Sequence, residues 1–273
     1  MIKFKLNNLI KSTLRDLGIN IRKTTKRDLI EGFLNRCYPI TTDLDLIRIG
    51  ENTDGGYLVP NDLGEIYACF SPGVAETASF EKEMISRGIR CYLADFSVEA
   101  PPIVGPNIKF EKKFIGIDDD EVHMTLESWV KNNCDNISDD LLLQMDIEGS
   151  EYDVIMNTPA EILRRFRIVI IEFHGLDTIS DPFGFRIVDT TFRRLLNDFV
   201  IVHIHPNNIS KPVMVRGFFI PPTMEFTFLR KDKVRHSQET KKFPHELDCK
   251  CIPTKRDFDL PQCWYSGESM KKK

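Results

Sequence analysis

LLLQMDIEGSEYDVI, residues 141–155, carries the reading that decides the fold. An apolar run stops at Asp146 and Glu148, turns at Gly149 and resumes with helical spacing. A short continuous apolar run bounded by turn residues reads as a strand buried on both faces. The segment is therefore a strand that delivers carboxylates to its own C-terminal edge, followed by a helix starting near Ser150 to Tyr152. Open α/β sheets bind ligands along that edge, so Asp146 and Glu148 stand where chemistry is expected. The competing reading makes Asp146 a helix-capping aspartate and Glu151 an acid that complements the helix dipole.

Working outward, apolar strand patterns alternate with helical ones. Strands are predicted at IYACF (66–70), RCYLADF (90–96), IKFEKKF (108–114), LLLQMDI (141–147), RIVIIEF (167–173), FVIVHIH (199–205) and MEFTFLR (224–230). Helices are predicted near residues 27–37, 78–87, 126–132, 152–157 and 187–196. Strands spaced by helices specify parallel pairing through right-handed crossovers. The expected fold is α/β, a mostly parallel Rossmann-like sheet of about seven strands with helices on both faces and a final antiparallel hairpin. Asp54-Gly55-Gly56 between two apolar runs reads as a tight hairpin. Three regions are expected: a helical extension over 1–45, the main domain over 46–232, and a charge-rich tail over 233–273 that wraps it and ends in an unstructured MKKK. The first 28 residues carry eight lysines and arginines against Asp16 and Asp28, with Leu6, Ile10, Leu14, Leu17 and Ile21 at helical spacing. That is an amphipathic basic helix, read as packed on the domain in preference to a membrane-surface arm.

At 273 residues, 41% hydrophobic and 29% charged, the chain can bury one substantial core. A net charge of −4 argues against a general nucleic-acid binder, whose phosphate contacts need a basic surplus. No apolar run has the length of a membrane span or the form of a signal-peptide core, so a soluble, cytoplasmic protein is expected. Seven cysteines without a CxxC give neither a disulfide framework nor a four-ligand zinc site. Cys69 and Cys91 read as small buried residues. Cys249-Lys-Cys251 would make a metal site only with ligands from elsewhere.

Several positions point to chemistry. The turn after the first long strand, Phe70-Ser-Pro-Gly-Val-Ala-Glu-Thr77, places Gly73 where a backbone can approach a nucleotide-type cofactor. Phe70, Gly73, Val74 and Glu76 are the expected contacts there. Asp95, 22 residues beyond Gly73, could accept hydrogen bonds from a ribose diol, with Phe96 beside it; its structural alternative is a turn aspartate. Residues 114–116 are expected beside the base. Asp146 is the first candidate for catalysis. Glu172 and His174, two apart at a strand end, share a face and are candidate bases. His203 and His205 repeat that spacing ahead of Asn207 and Asn208, and His205 joins the catalytic candidates. Such a set could hold a divalent cation, but the ligands lie on different strands without a compact motif, so no metal ligand is assigned.

MDIEGSE (145–151) resembles the signature of the FkbM-type S-adenosylmethionine-dependent methyltransferases, and DGGYLVP (54–60), MTLESWV (124–130) and VIIEFHG (169–175) resemble that family's other landmarks in the same order. The resemblance covers roughly residues 45–230. It implies the class I methyltransferase version of the Rossmann-like sheet, S-adenosylmethionine as cofactor with Asp146 touching it, and a hydroxyl of a sugar, glycan or other small-molecule natural product as acceptor. Gly73-Val74 resembles the family's variant of the cofactor loop. A loop without a pyrophosphate-binding glycine pattern suits adenosylmethionine, which has no phosphate, better than a nicotinamide cofactor. Two rival readings remain: a metal-dependent hydrolase built from Asp146, Glu172, His174 and His205, and a non-catalytic binding protein of the same fold.

Overall fold

The computed structural model describes residues 13, 14, 16–18, 23–75 and 77–266. Most of the predicted basic helix, Glu76 and the terminal MKKK lie outside the described residues. Chain order gives α1 (Arg27–Arg36), β1 (Ile40–Thr42), β2 (Leu46–Ile49), β3 (Tyr57–Pro60), β4 (Ile66–Pro72), α2 (Ser79–Ser86), β5 (Arg90–Ala94), β6 (Ile108–Glu111), β7 (Phe114–Gly116) and β8 (His123–Thr125). It continues with α3 (Leu126–Asn133), β9 (Asp140–Met145), α4 (Glu151–Asn157), α5 (Ala160–Leu163), β10 (Phe166–Phe173), α6 (Pro182–Asp198), β11 (Phe199–Pro206), β12 (Val213–Val215), β13 (Phe218–Ile220), β14 (Met224–Arg230) and β15 (Ser237–Glu239).

Seven strands form the main sheet in the order β11-β14-β10-β9-β4-β5-β6. All pairings from β10 to β6 are parallel. The expected antiparallel pair exists, but its second strand, β14, inserts between β10 and β11 and runs against both. The strands bury alternate side chains on opposite faces, as period-two geometry requires. Leu141, Leu143 and Met145 of β9 join one core cluster with Val169, Ile171 and Phe173 of β10, whereas Leu142, Ile168 and Ile170 join the other. Helices cover both clusters, and each fully buried large side chain contributes about 1.5–3 kcal/mol of transfer free energy.

Local chemistry sets the element ends. Helix α6 begins at Pro182, five residues before the predicted start, because Asp181 caps it by accepting from the Phe183 amide at 2.8 Å. The stretch 108–114 is not one strand: Lys113 N–H donates to Glu111 O at 2.8 Å, and the chain turns out of the sheet into the separate β7–β8 ribbon. The Asp-Gly-Gly turn does join an antiparallel hairpin, with Leu46 opposite Pro60 and Ile49 opposite Tyr57. Beyond β14 the chain stays engaged with the domain. β15 pairs with β1, and Trp264 is fully buried against Phe33 of α1 and Phe226 of β14.

Candidate active site

The ends of β4, β5 and β9 converge on a cavity of about 790 Å³, roofed by β7 and bounded by the Asp54 turn. Gly73 sits at its base with φ +84°, its N–H donating to Ala94 O at 2.9 Å. A Cβ on Gly73 would stand 1.6 Å from the carbonyl oxygen of Asp146, so two strand ends touch there, backbone to backbone. Val74, Asp95 and Asp146 line the cavity, as do Phe114, Ile115 and Gly116, the segment expected beside an adenine. Phe70 does not reach it. Its side chain points to the opposite side, where it packs on Tyr92, Trp129 and Phe166 as a core residue. Phe96 also lies outside the lining; its ring packs tilted against Phe114, centroids 5.4 Å apart, and so supports a wall residue.

Asp95 is tied into the turn it was expected to serve. Its Oδ2 accepts from the Ala75 amide at 2.9 Å and its Oδ1 from the Ser97 amide at 2.8 Å. The Ser97 hydroxyl also donates to Oδ1, at 2.6 Å, so of the roughly four acceptor sites of a carboxylate one, on Oδ2, stays open for a ribose hydroxyl. Asp95→Ala is expected to weaken adenosylhomocysteine binding by about 1.5–3 kcal/mol, the range for hydrogen bonds to a charged group. Isothermal titration measures it, and an unchanged dissociation constant would remove Asp95 from the cofactor site.

The MDIEGSE turn is held from within. Glu148 adopts a left-handed φ of 55°, unusual for a residue with a side chain. Glu151, fully buried at the start of α4, accepts from the Ile147 amide at 3.2 Å and the Gly149 amide at 3.0 Å. The same oxygen receives the Nδ1–H of His174 at 3.1 Å. Glu151 thus positions both the turn and the histidine. With Nδ1 engaged, His174 directs Nε2 at Glu148 (3.5 Å), Glu172 (3.5 Å) and Asp146 (3.9 Å). Burial disfavours the imidazolium, but the bond to Glu151 and the surrounding carboxylates outweigh it and raise the His174 pKa. A histidine biased toward its protonated form is a poorer base and a better counter-ion.

The carboxylates shift the other way. Burial, opposed by His174 and reinforced by Glu148 and Asp54, raises Asp146 from 3.8 to about 7. Its Oδ1 is buried without a hydrogen-bond partner. Glu172 is more deeply enclosed, and burial together with Asp146 and Glu225 holds it well above the carboxylate range. One of its oxygens accepts from Asn207 at 2.9 Å. A carboxyl held that far above its ordinary value gives up its proton reluctantly, so Glu172 does not suit the role of base that its strand-end position suggests.

The predicted four-residue set is divided. His174 meets Asp146 and Glu172, whereas His205 faces Glu225 at 3.6 Å and Cys251 at 4.0 Å; of the four, Asp146 alone is part of the cavity lining, with His174 and Glu172 behind it. The bulge between Ile201 and His203 and the insertion of β14 turn β11 away from the site. His203 meets Asp248 at 3.0 Å, and Asn208 holds the tail through Ile252. Asp146, Glu148 and His174 offer ligand atoms within 4.8 Å of one another and could hold a hard cation.

Sequence reasoning missed a polar layer in the cavity wall. The Ser71 hydroxyl lies between Glu81 and Gln144, whose Nε2 donates to the Tyr57 hydroxyl at 3.2 Å. Ser71 and Gln144 each interrupt an apolar strand two residues before a site residue, Gly73 and Asp146. That shared face was the available signal.

The family model of the methyltransferase FkbM domain matches residues 85–198, from the end of α2 through α6. Over that stretch the chain is similar to the FkbM methyltransferase domain. The match contains three of the four landmark segments, including MDIEGSE and VIIEFHG, and the seven-stranded sheet is the Rossmann-like α/β architecture of such a domain. No curated protein matches the chain. No helix among the described residues is long and apolar enough to cross a membrane.

Proposed function

We propose that the chain transfers a methyl group from S-adenosylmethionine to a hydroxyl of a small-molecule or glycan acceptor. The observation that carries this reading is the charge of the cavity: among the described residues eight carboxylate residues line it, with no lysine or arginine. A phosphate-bearing cofactor would be repelled, whereas a ligand with a sulfonium and an ammonium group is attracted. The glycine cradle, the acidic ribose position and the Phe114–Gly116 wall fit the remaining parts of that molecule. Bound there, the cofactor would supply a methyl group on a positively charged sulfur that leaves as a neutral thioether.

The protein's tasks are then to hold the acceptor in line and to take its proton. Asp146 is the residue for the proton. An acid with a pKa near working pH is a competent base, and its bare Oδ1 is ready to receive a hydrogen. His174 balances the charge that remains on Asp146, Glu148 and Glu151.

Titration of the full chain with S-adenosylmethionine at pH 7 in two buffers of different ionisation enthalpy tests the assignment. Binding is expected with release of protons, because a cation beside Asp146 lowers its pKa. Silence toward both adenosylmethionine and adenosylhomocysteine at near-millimolar concentration would sink it. With a hydroxyl acceptor in hand, turnover is expected to persist in chelator. Loss restored by magnesium or manganese would instead give the proton-removing role to a cation on Asp146, Glu148 and His174.

A further inference from the structure

His205, Glu225 and Cys251 come together from two strands and the C-terminal segment, and the active site does not account for them. Cys251 Sγ lies 3.2 Å from Glu225 Oε1 and 4.0 Å from His205 Nδ1, and His205 Nδ1 lies 3.6 Å from Glu225 Oε2. All three residues are buried, and their ligand atoms fall within 4.8 Å of one another. Tetrahedral zinc with bonds of about 2.0–2.3 Å spaces its ligand atoms about 3.3–3.8 Å apart, and the separations here, 3.2–4.0 Å counted to the nearer oxygen of Glu225 in each case, need only small side-chain shifts to meet it.

Two independent features point to a cation. Glu225 stands directly opposite Glu172 in the β10–β14 register, and both are less than 10% exposed, Glu172 at 4% and Glu225 at 7%. Two adjacent buried carboxyls cannot both carry charge unless a cation offsets it, and Glu172 Oε2 is left without a hydrogen-bond partner. The backbone also fixes Cys251 on both sides. Its carbonyl accepts from the Asp54 amide at 3.1 Å, and the next residue, Ile252, exchanges two hydrogen bonds with the Asn208 side chain at 2.8 and 3.0 Å.

We propose that His205, Glu225 and Cys251 bind a zinc ion that fastens the C-terminal segment across the ends of β11 and β14. A thiolate, an imidazole nitrogen and a carboxylate oxygen form a ligand set for borderline metals such as zinc and not for magnesium. On binding, the Cys251 thiol gives its proton to solvent and sulfur joins the metal, while His205 binds through a neutral nitrogen. Because Cys251 O holds the Asp54 amide, the ion also steadies the turn that bounds the cavity.

The test uses the full chain, stripped of metal and dialysed against Co²⁺, whose spectrum reports thiolate ligation, and then against Zn²⁺. One cobalt per chain is expected, with an intense sulfur-to-metal band in the near ultraviolet that zinc displaces. Cys251→Ser should abolish the band and weaken zinc binding more than about 100-fold, exceeding the usual loss from an outer-shell partner. Cys249→Ser, at a half-exposed neighbour outside the cluster, should change neither. If Cys251→Ser fails to fold, His205→Gln answers the same question, since loss of cobalt binding in that variant supports the site. Absence of bound cobalt, a band that survives Cys251→Ser, or unaltered binding in His205→Gln would overturn it.

Discussion

Asp146→Asn is expected to lower turnover on a hydroxyl acceptor by about 10²- to 10⁴-fold, the usual contribution of a positioned base, while making the free protein more stable above pH 7. The two effects have one cause. In the folded chain Asp146 keeps its proton up to about 7, whereas in the unfolded chain it loses it near 3.8. Between those values the native state binds the extra proton, so stability falls as pH rises, and above pH 7 the penalty is complete. At 1.36 kcal/mol per unit, the difference between 3.8 and about 7 gives a penalty of at most about 4 kcal/mol. Asparagine is neutral throughout and should remove that decline. Thermal unfolding of both proteins from pH 4 to 9, without ligand, measures it. A variant less stable than wild type at pH 8 would make Asp146 a structural cap instead of a functional acid.

Asp146 was legible because a carboxylate closing an apolar run is a local pattern. The parallel sheet was legible for the same reason: apolar segments such as 141–145 and 167–173 have period-two faces that both require burial. What could not be read depends on which strands become neighbours. Glu172 looks like a base from its place at a strand end, yet β14 brings Glu225 opposite it and Asp146 beside it, and the three cannot all ionise. His205 looks like a second His174 by spacing, but the bulge in β11 and the inserted β14 give it to Glu225 and Cys251. Phe70 adjoins the cofactor turn in sequence, while strand alternation sends its ring into the core three residues before the backbone reaches the cavity. Glu151 read as a dipole acid because nothing local announces that it will hold three donors from Ile147, Gly149 and His174.

Gly73→Ala is expected to abolish measurable cofactor binding and to destabilise the fold by about 2–5 kcal/mol, combining left-handed backbone strain with overpacking. The added Cβ would meet Asp146 O at 1.6 Å and Asp146 C at 2.7 Å, which are backbone atoms that no rotamer change can move. Relief requires the ends of β4 and β9 to separate. That strains the contact of the Asp146 amide with Pro72 O at 3.4 Å and the bond of the Gly73 amide to Ala94 O at 2.9 Å. The turn presenting Val74 and Ala75 to the cavity would shift with them, taking the Ala75 amide off Asp95. Gly149→Ala is the control: its φ is +107°, but no atom lies within 4 Å of the added Cβ. It should show the backbone strain alone, about 1–2 kcal/mol. Denaturant unfolding and adenosylhomocysteine titration of the two variants separate the causes. Equal destabilisation by both would show that the β4 and β9 ends can part freely, and retained ligand binding in Gly73→Ala would move the cofactor away from this turn.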